Sequence, residues 1–437
     1  MLIKTFCKPA STNICDPEFI YWAVYDCVKH KLYRNDFLDL LCTQTGISRR
    51  VVIKERSQLN ESTPMIDDAI KKLSEKCAQM IADNKLKFKE LRQFNRVDGI
   101  SGKKRNICQE SPLQQVFEYI AVYALQPLFD AKILYCQFGS IPGKGQVKGA
   151  QRISYILNSP KFKDKRVDCI KCDVRKAYPS TKVSTVHNLI AKYCGKNKQL
   201  IGLVDAIMAN YPNHHLIIGG YFSTWAFNLV MSEVLREFNK LYKERRGQRI
   251  KLVEKIVCYA DDFLLFGYKS NLVRAIKTVA KHIKAQFGLE IKNVWTVIQF
   301  PSKEVENHPR YKNTFIDMMG FRIYRHYRGI RKKIFRRARR QFIRANQLSY
   351  VPVWRARKIA AYNSWLTYSK SRGVILNYHI NTLMNRSKQS ISNHSREELT
   401  SYERDLLLYP ESCFDFPRWR KNRRYFEEKY RKSHQTG

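Results

Sequence analysis

The sequence predicts an α+β fold in which acidic residues lie at the ends of short strands. Three stretches lead to this prediction. Residues 256–266 have the pattern of two apolar strands joined by a tight turn, and residues 168–180 that of a strand, a turn and the start of a helix. Residues 331–344 place apolar side chains about one helical turn apart among arginines and lysines, which is typical of an amphipathic helix.

The tight turn carries two adjacent carboxylates, Asp261 and Asp262, between apolar runs. Crowding two like charges is costly unless they share a cation. A third carboxylate, Asp173, ends the strand predicted 88 positions before Asp261, a separation that leaves room for a helical crossover. Mg²⁺ takes oxygen ligands from a few carboxylates, with water and substrate phosphates in its remaining positions. We therefore expect the three aspartates to form a metal site.

These residues also carry a resemblance to a known family. Asp173-x-x-x-Ala177-Tyr178, followed by Tyr259-Ala260-Asp261-Asp262, resembles the palm of reverse transcriptases. It is most similar to the prokaryotic type found in group II introns, diversity-generating retroelements and phage-defence systems. The resemblance covers roughly residues 95 to 370 and includes further segments in the family's order. They are residues 98–107, 137–145, 218–229, 288–292 and 319–323.

The resemblance implies a right-hand polymerase fold with fingers, an antiparallel-sheet palm and a helical thumb. It places the fingers at residues 91–165 and the palm at 166–325, with helices at about 183–215. A basic helical thumb and a C-terminal tail follow at 326–437. Residues 1–90 are predicted as a helical N-terminal extension, with one helix beginning after Asp16 and a second at about 66–81.

The resemblance implies two magnesium ions, for which Mn²⁺ could substitute. Asp173 and Asp261 would bind both ions, the Val174 carbonyl would complete one coordination shell, and Asp262 would support the cluster. One ion would activate the primer 3′-hydroxyl and the other would orient the triphosphate. Lys292 matches the family's lysine near the leaving pyrophosphate and could protonate it.

Five further residues are implied in nucleotide binding. Lys103 and Arg105 match the fingers hairpin that grips the triphosphate. Tyr178 matches the aromatic under the sugar, where a 2′-hydroxyl would clash, so deoxynucleotides are favoured. Ser223 and Thr224 occupy the place where relatives carry Ser-Gln. Because that glutamine helps to seat the templating base, Thr224 leaves the mode of template use open.

The composition predicts a polyanionic partner. Lysine and arginine number 80 against 38 acidic residues, for a formal net charge of +42. Such a surplus favours nucleic-acid binding that weakens as salt increases. Residues 318–396 contain no carboxylate but 19 lysines or arginines. The residues of this basic stretch that we expect to contact nucleic acid are Arg331, Lys332, Lys333, Arg336, Arg337 and Arg340. The resemblance adds Lys144, from the segment that tracks the template, and Gly320, from the strand pair that grips the primer end.

The helix predicted within residues 331–344 is expected to act as a thumb helix on the duplex backbone. A basic amphipathic helix can also lie on an anionic membrane, but phosphate contacts are what a thumb supplies. Its apolar face is predicted to contain Phe335, Ala338, Phe342 and Ile343. The tail beyond Pro410 is basic and aromatic and suits RNA stacking, or could close the thumb.

The functional expectation is an RNA-directed DNA polymerase in anti-phage defence or a related retroelement. Its partners would be an RNA template, a DNA primer and product, and dNTPs; a dedicated structured non-coding RNA or an accessory protein could be added. The alternatives are untemplated or protein-primed DNA synthesis, a diversity-generating retroelement enzyme, and a non-catalytic maturase-like RNA-binding scaffold. The chain has no apolar run of 18 residues, no signal-peptide core and 12 scattered cysteines, which predicts a cytoplasmic protein without membrane contact.

Overall fold

A computed structural model of the chain describes residues 5–29, 31–56, 64–97, 104–311 and 313–393. The chain begins with four helices, α1 (Pro17–Val28), α2 (Asn35–Thr45), α3 (Arg49–Glu55) and α4 (Pro64–Ala82). The Asp16 side chain caps α1 by accepting a hydrogen bond from the Glu18 backbone N–H at 2.9 Å. The two helices predicted in this region are both present. Their apolar faces join the same hydrophobic core as the elements that follow.

A hairpin and a run of helices surround the first strand of the central sheet. The elements are β1 (Arg92–Val97), β2 (Lys104–Gln109), α5 (Pro112–Ala124), α6 (Gln126–Lys132), α7 (Gln146–Leu157), β3 (Val167–Asp173), α8 (Ala177–Ser180), α9 (Val183–Cys194), α10 (Lys198–Ala209) and α11 (Tyr221–Asn239). The β1–β2 hairpin is antiparallel and mostly exposed.

The second half of the chain completes the sheet and adds a helical C-terminal part. The elements are β4 (Tyr242–Arg245), β5 (Gln248–Lys251), β6 (Lys255–Tyr259), β7 (Asp262–Gly267), α12 (Lys269–Phe287), β8 (Thr296–Phe300), β9 (Ile316–Met318), β10 (Phe321–Ile323), β11 (Arg328–Ile330), α13 (Lys332–Asn346), α14 (Val353–Thr367) and α15 (Arg372–Asn377). A further helix, α16, covers 380–393. The molecule is therefore a mixed α+β protein, as predicted.

The central sheet is antiparallel, in the order β6-β7-β3-β8, and both of its faces are buried. Side chains alternate between the faces because successive residues of a strand point in opposite directions. Ile170 and Leu265 join the core that includes α1–α5, α11 and α12. Cys169 and Leu264 join a second core with α7, β9 and β10. Because both faces of β7 are buried, the strand is apolar throughout Phe263–Phe266.

The C-terminal helices form a third core, and α13 corrects one prediction. The buried side chains of α13 are Ile334, Ala338, Phe342 and Ala345. The predicted face included Phe335 and Ile343, but Phe335 is half-buried and Ile343 is exposed. The buried residues are spaced four, four and three positions apart, starting from Ile334. Relative to the predicted face, the buried face is therefore rotated about the helix axis toward Ile334 and Ala345.

No helix within the described ranges combines the length and apolar character that crossing a bilayer requires.

A buried pair of glutamates joins α5 to the start of α11. Glu118 accepts hydrogen bonds from the Phe222 backbone N–H at 2.9 Å and from the Tyr211 hydroxyl at 3.1 Å. Glu110 lies beside it and is also buried. Burial, followed by the charge of Glu118, raises the pKa of Glu110 from 4.5 to about 8. Burial raises the pKa of Glu118 as well, and its hydrogen bonds from the Phe222 backbone and the Tyr211 hydroxyl oppose that rise. Glu110 is therefore the member of the pair that we expect to carry a proton in the folded protein at neutral pH.

This pair predicts that stability decreases as pH rises between about 4.5 and 8. In that window the unfolded chain has released the Glu110 proton while the folded chain retains it, so the free energy of unfolding falls with a slope of up to about 1.4 kcal/mol per pH unit. Glu110→Gln mimics the protonated acid and should flatten that slope. Urea unfolding across this pH range measures the effect. Glu75→Gln, at an exposed position of α4, should leave the slope unchanged, and an equal change in both variants would contradict the assignment.

Candidate active site

The strand register brings the three predicted aspartates to one end of the sheet. Asp173 is the last residue of β3 and lies directly opposite Asp262, the first residue of β7. Asp261 occupies the turn between β6 and β7, and its carbonyl accepts a hydrogen bond from the Val174 backbone N–H at 3.2 Å. Antiparallel pairing therefore converts a separation of 88 positions into direct backbone contact.

A loop before α7 supports the turn that carries Asp261. Ala260 has a positive φ of 54°. A Cβ at Gly139 would lie 2.5 Å from the Ala260 backbone nitrogen, so only glycine allows this approach. Asn228 of α11 donates to the Gly139 carbonyl at 3.0 Å, and Gln137 donates to the Asn228 carbonyl at 2.8 Å. The loop is thereby held between α11 and the acidic turn.

The electrostatics of the aspartates suit a cation. Burial, followed by the charges of Asp173 and Asp262, raises the pKa of Asp261 to about 6. The Oδ1 atom of Asp173 is buried and has no hydrogen-bond partner among the described residues. A buried carboxylate oxygen without a donor is costly, and a bound cation satisfies it. Asp173 and Asp261 thus have the oxygen donors and the excess negative charge that fit Mg²⁺.

The site supplies few protein ligands. Within the described ranges, no group of three or more His, Cys, Asp or Glu side chains is placed to hold a metal ion. The Asp262 carboxylate lies 3.3 Å from the Lys171 ammonium, with which it forms an ion pair. One or two carboxylates suffice for Mg²⁺ when substrate phosphates and water supply the rest. The expected roles of Asp262 and of the Val174 carbonyl at a metal stay predictions.

Lys292 lies at the carboxylates. Its ammonium forms an ion pair with Oδ2 of Asp173. Its backbone N–H donates to the Asp173 carbonyl at 2.9 Å, and Val174 forms a β-bridge with Ile291. The segment around Lys292 therefore extends the end of β3, and this backbone pairing fixes the lysine next to the site.

An aromatic pair forms the wall beside the aspartates. Tyr178 stacks on Phe227 with ring centroids 4.8 Å apart and planes inclined by 29°. Burial raises the pKa of Tyr178, and the nearby Thr224 hydroxyl partly offsets that rise. Thr224 in turn donates to the Gly220 carbonyl at 3.0 Å. The structure thus brings two predicted nucleotide-binding residues together.

Two residues that the sequence reasoning did not assign belong to this arrangement, Phe227 and Asn228. Both lie on α11 one turn after Ser223 and Thr224. That spacing of four residues is the signal that could have revealed them, since residues i and i+4 of a helix share a face.

Other predicted nucleotide contacts lie elsewhere. Ser223 is fully buried, and its hydroxyl accepts a hydrogen bond from the Ile217 backbone N–H at 3.3 Å. Ser223 therefore supports the preceding loop, and its direct contact with a nucleotide stays a prediction. Arg105 is exposed on β2 opposite Arg96 of β1. Lys103 lies outside the described residues.

Lys144 turns back on its own loop. Its ammonium donates to the carbonyls of Leu134 and Tyr135 at 3.4 and 3.3 Å. Burial lowers the pKa of Lys144. In this arrangement the side chain closes the loop of residues 134–144, so its predicted contact with nucleic acid would require these two hydrogen bonds to open.

A basic cavity of about 570 Å³ lies where the β9–β10–β11 sheet meets the start of α13. It contains six of the predicted nucleic-acid contacts and two residues that were not predicted. Its lining is Asp317, Arg322, Arg331, Lys332, Lys333, Arg336, Arg337 and Arg340. Seven of these eight side chains are cationic, so the cavity suits phosphate groups.

Gly320 lies in the turn between β9 and β10, with φ at 81°. A Cβ at this position would lie 2.3 Å from the Trp365 ring of α14. Gly320 therefore packs against the helical part of the protein, and its contact with nucleic acid stays a prediction. The basic and aromatic tail beyond Pro410 lies outside the described residues.

The chain was compared with known proteins. No protein-family model matches it, and no curated protein matches it. It is similar to the solved structure of apo telomerase from Candida tropicalis, with 11% identity and a TM-score of 0.39 over 54% of this chain and 46% of that one. The same telomerase truncated from its C-terminal domain gives 11% identity and a TM-score of 0.37 over 64% and 69% of the two chains.

The telomerase of Candida albicans in complex with the TWJ fragment of telomeric RNA gives 12% identity and a TM-score of 0.37 over 74% of this chain and 66% of that one. The chain thus spans less than half of the first of these telomerases.

The contact between Gly139 and Ala260 predicts a sharp cost of adding one carbon atom. Gly139→Ala should lower the free energy of unfolding by about 1–3 kcal/mol, because a Cβ would overlap backbone that has no room to move. Thermal or urea unfolding measures this. Gly202→Ala in α10 is the matched control, because a Cβ there meets nothing within 4 Å. Equal free energies of unfolding in the two variants would show that the turn at Ala260 moves to make room for the Cβ and would contradict the prediction.

Proposed function

We propose that the chain is a reverse transcriptase, an RNA-directed DNA polymerase with a right-hand fold. The observation that carries this proposal is the meeting of Asp173 and Asp261 at one end of an antiparallel sheet, next to the Tyr178 ring. The order of the motifs along the chain supports it. In this reading the β1–β2 hairpin belongs to the fingers, the central sheet to the palm and α13–α16 to the thumb.

The finer assignment to the prokaryotic type rests on the motif resemblance. Under it, the enzyme would act in anti-phage defence or a related retroelement in the cytoplasm. Its partners would be an RNA template, a DNA primer and dNTPs. The basic cavity at the start of α13 supports a role in holding the nucleic-acid backbone, since phosphate contacts position a duplex without reading its sequence.

The mechanism assigns each group a task. Asp173 and Asp261 would hold Mg²⁺, which would neutralise phosphate charge and lower the pKa of the primer hydroxyl. Lys292 would exchange its ion pair with Asp173 for a contact with the leaving pyrophosphate, to which it could donate a proton. Tyr178, held by Phe227 and Thr224, would exclude the 2′-hydroxyl of a ribonucleotide.

Thr224 favours a second candidate, untemplated or protein-primed DNA synthesis by the same site. Its hydroxyl already donates to the Gly220 carbonyl and lies near Tyr178. The side chain is also shorter than the glutamine that relatives place here to seat the templating base. A polymerase that lacks this contact can depend less on its template.

Primer extension on poly(rA) with an oligo(dT) primer, dTTP and Mg²⁺ tests the proposal. Asp261→Asn keeps the shape of the side chain but removes its charge, so activity should fall at least about a hundredfold. Asp68→Asn, at an exposed position of α4, should retain full activity.

The outcomes separate the candidates. Product that requires the RNA and disappears in Asp261→Asn supports reverse transcription. Product that forms without the RNA and disappears in the same variant supports untemplated synthesis. Absence of product from the unaltered chain with RNA template and Mg²⁺ would contradict both candidates and favour a non-catalytic RNA-binding scaffold. Full activity of Asp261→Asn would contradict the assignment of the active site to Asp261.

Sugar selection gives a second test. Tyr178→Ala removes the ring expected under the sugar, so the preference for dTTP over UTP should fall by about tenfold or more. Competition between the two nucleotides in the same extension reaction measures the preference. Tyr178→Phe keeps the ring and should preserve the preference. An unaltered dTTP preference in Tyr178→Ala would remove the tyrosine from this role.

A further inference from the structure

Two carboxylate-free parts of the chain meet on the protein surface. Residues 131–163 contain no Asp or Glu, and neither do residues 318–396. Arg328 joins them by donating to the Ser154 hydroxyl at 3.2 Å, and Asn158 donates to the Arg325 carbonyl at 2.7 Å. The cations of the first part are Lys132, Lys144, Lys148, Arg152, Lys161 and Lys163.

Arg325 makes this junction rigid. Its buried guanidinium donates to the backbone carbonyls of residues 157, 162, 163, 165 and 301. The adjacent carboxylate Glu306 is already occupied, with His326 at 2.7 Å and Arg325 at 3.7 Å. The face formed by the two parts is therefore positive, and its geometry is set by backbone hydrogen bonds.

Two exposed tyrosines flank an arginine on this face. The guanidinium carbon of Arg152 lies 5.5 Å from the centre of the Tyr135 ring and 5.0 Å from that of Tyr155. The tyrosines are 64% and 63% exposed. Cation–π contacts hold the rings in place while much of their surface remains open to solvent.

The arrangement continues through Arg328 to a second group of rings. Arg328 donates to the Tyr368 carbonyl at 3.1 Å and accepts a hydrogen bond at its own carbonyl from the Lys370 backbone N–H at 2.7 Å. The Lys370 ammonium lies 5.2 Å from the centre of the Tyr327 ring. Tyr327 and Tyr368 are 43% and 40% exposed. We call Tyr135, Arg152, Tyr155, Arg328, Tyr327, Tyr368 and Lys370 the tyrosine–cation strip.

We propose that the tyrosine–cation strip binds a single strand of nucleic acid, RNA or DNA. Unpaired bases stack on tyrosine rings whatever their sequence, and phosphates pair with the cations between the rings. A duplex keeps its bases stacked on each other and would use only the cations. An acidic protein segment would likewise pair with the cations but provide no bases to stack on the four exposed tyrosine rings.

The strip begins next to the proposed active site. Tyr135 precedes by two positions Gln137, which belongs to the loop that supports the acidic turn. A strand bound along the strip would thus extend from the active-site loop across α7 to the C-terminal helices. The inference rests on the proposed function for the source of that strand, either the unpaired template or a displaced product.

Fluorescence anisotropy of labelled oligonucleotides with the full chain tests the proposal. The probes are a 20-nucleotide RNA, a DNA of the same sequence and a 20-base-pair duplex, all in EDTA. Tyr135→Ala/Tyr155→Ala should weaken single-strand binding by about tenfold or more and leave duplex binding within about twofold. Tyr135→Phe/Tyr155→Phe keeps both rings and should bind like the unaltered chain. The RNA and DNA probes show which strand is preferred.

Tyr33→Ala provides the matched control. Tyr33 is 53% exposed and has the Arg56 guanidinium carbon 4.4 Å from the centre of its ring, but it lies in the N-terminal helical region. Its removal should not alter single-strand binding. An equal loss in this control, an equal loss of duplex binding, a loss in the phenylalanine variant, or no single-strand binding at all would overturn the proposal.

The binding assay contains no divalent ion and no nucleotide. Failure of the strip is therefore distinguished from failure of the polymerase proposal, which is measured by extension. Competition with poly-glutamate adds a further arm: if poly-glutamate displaces the probe equally from the unaltered chain and from the alanine variant, the tyrosines contribute nothing and the strip is a general anion surface.

Discussion

The candidate site depends on the direct contact of two backbones, that of Gly139 and that of the turn at Ala260. Asn228 of α11 hydrogen-bonds to the loop of residues 137–139, and Gly139 of this loop packs directly against the acidic turn. The turn then has one position in which Asp261 bonds to the backbone of Val174. The packing of a glycine therefore fixes the carboxylates, against the mutual repulsion of their charges.

Much of this arrangement could be predicted from sequence because its signals are local. The strand–turn–strand pattern of residues 256–266 and the strand ending at Asp173 each lie within a dozen residues, and a known order of motifs placed them together. The burial of Ser223 and the backward turn of Lys144 could not be predicted. Both depend on hydrogen-bond partners that the conformation of the folded loops provides. Ser223 accepts from the Ile217 backbone N–H, and Lys144 donates to the carbonyls of residues 134 and 135.

The rotated face of α13 shows a similar limit. Phe335 and Ile343 belong to the predicted stripe, but the core that α13 shares with α14 and α16 takes Ala338, Phe342 and Ala345. Hydrophobic periodicity identifies a helix and its approximate face, whereas a rotation of part of a turn is decided by what packs against it. Three arginines of α13 lie toward β9–β11, where Arg336, Arg337 and Arg340 line one cavity.

The contact between Gly320 and Trp365 has a mechanical consequence. The Trp365 ring occupies the space that a side chain at position 320 would need, and it also packs on Phe321 with ring centres 4.9 Å apart. The β9–β10 hairpin and α14 are therefore tightly packed against each other through the Trp365 ring. A rigid-body movement of the C-terminal helices would carry the hairpin with it. The basic cavity between them would then move without changing its shape.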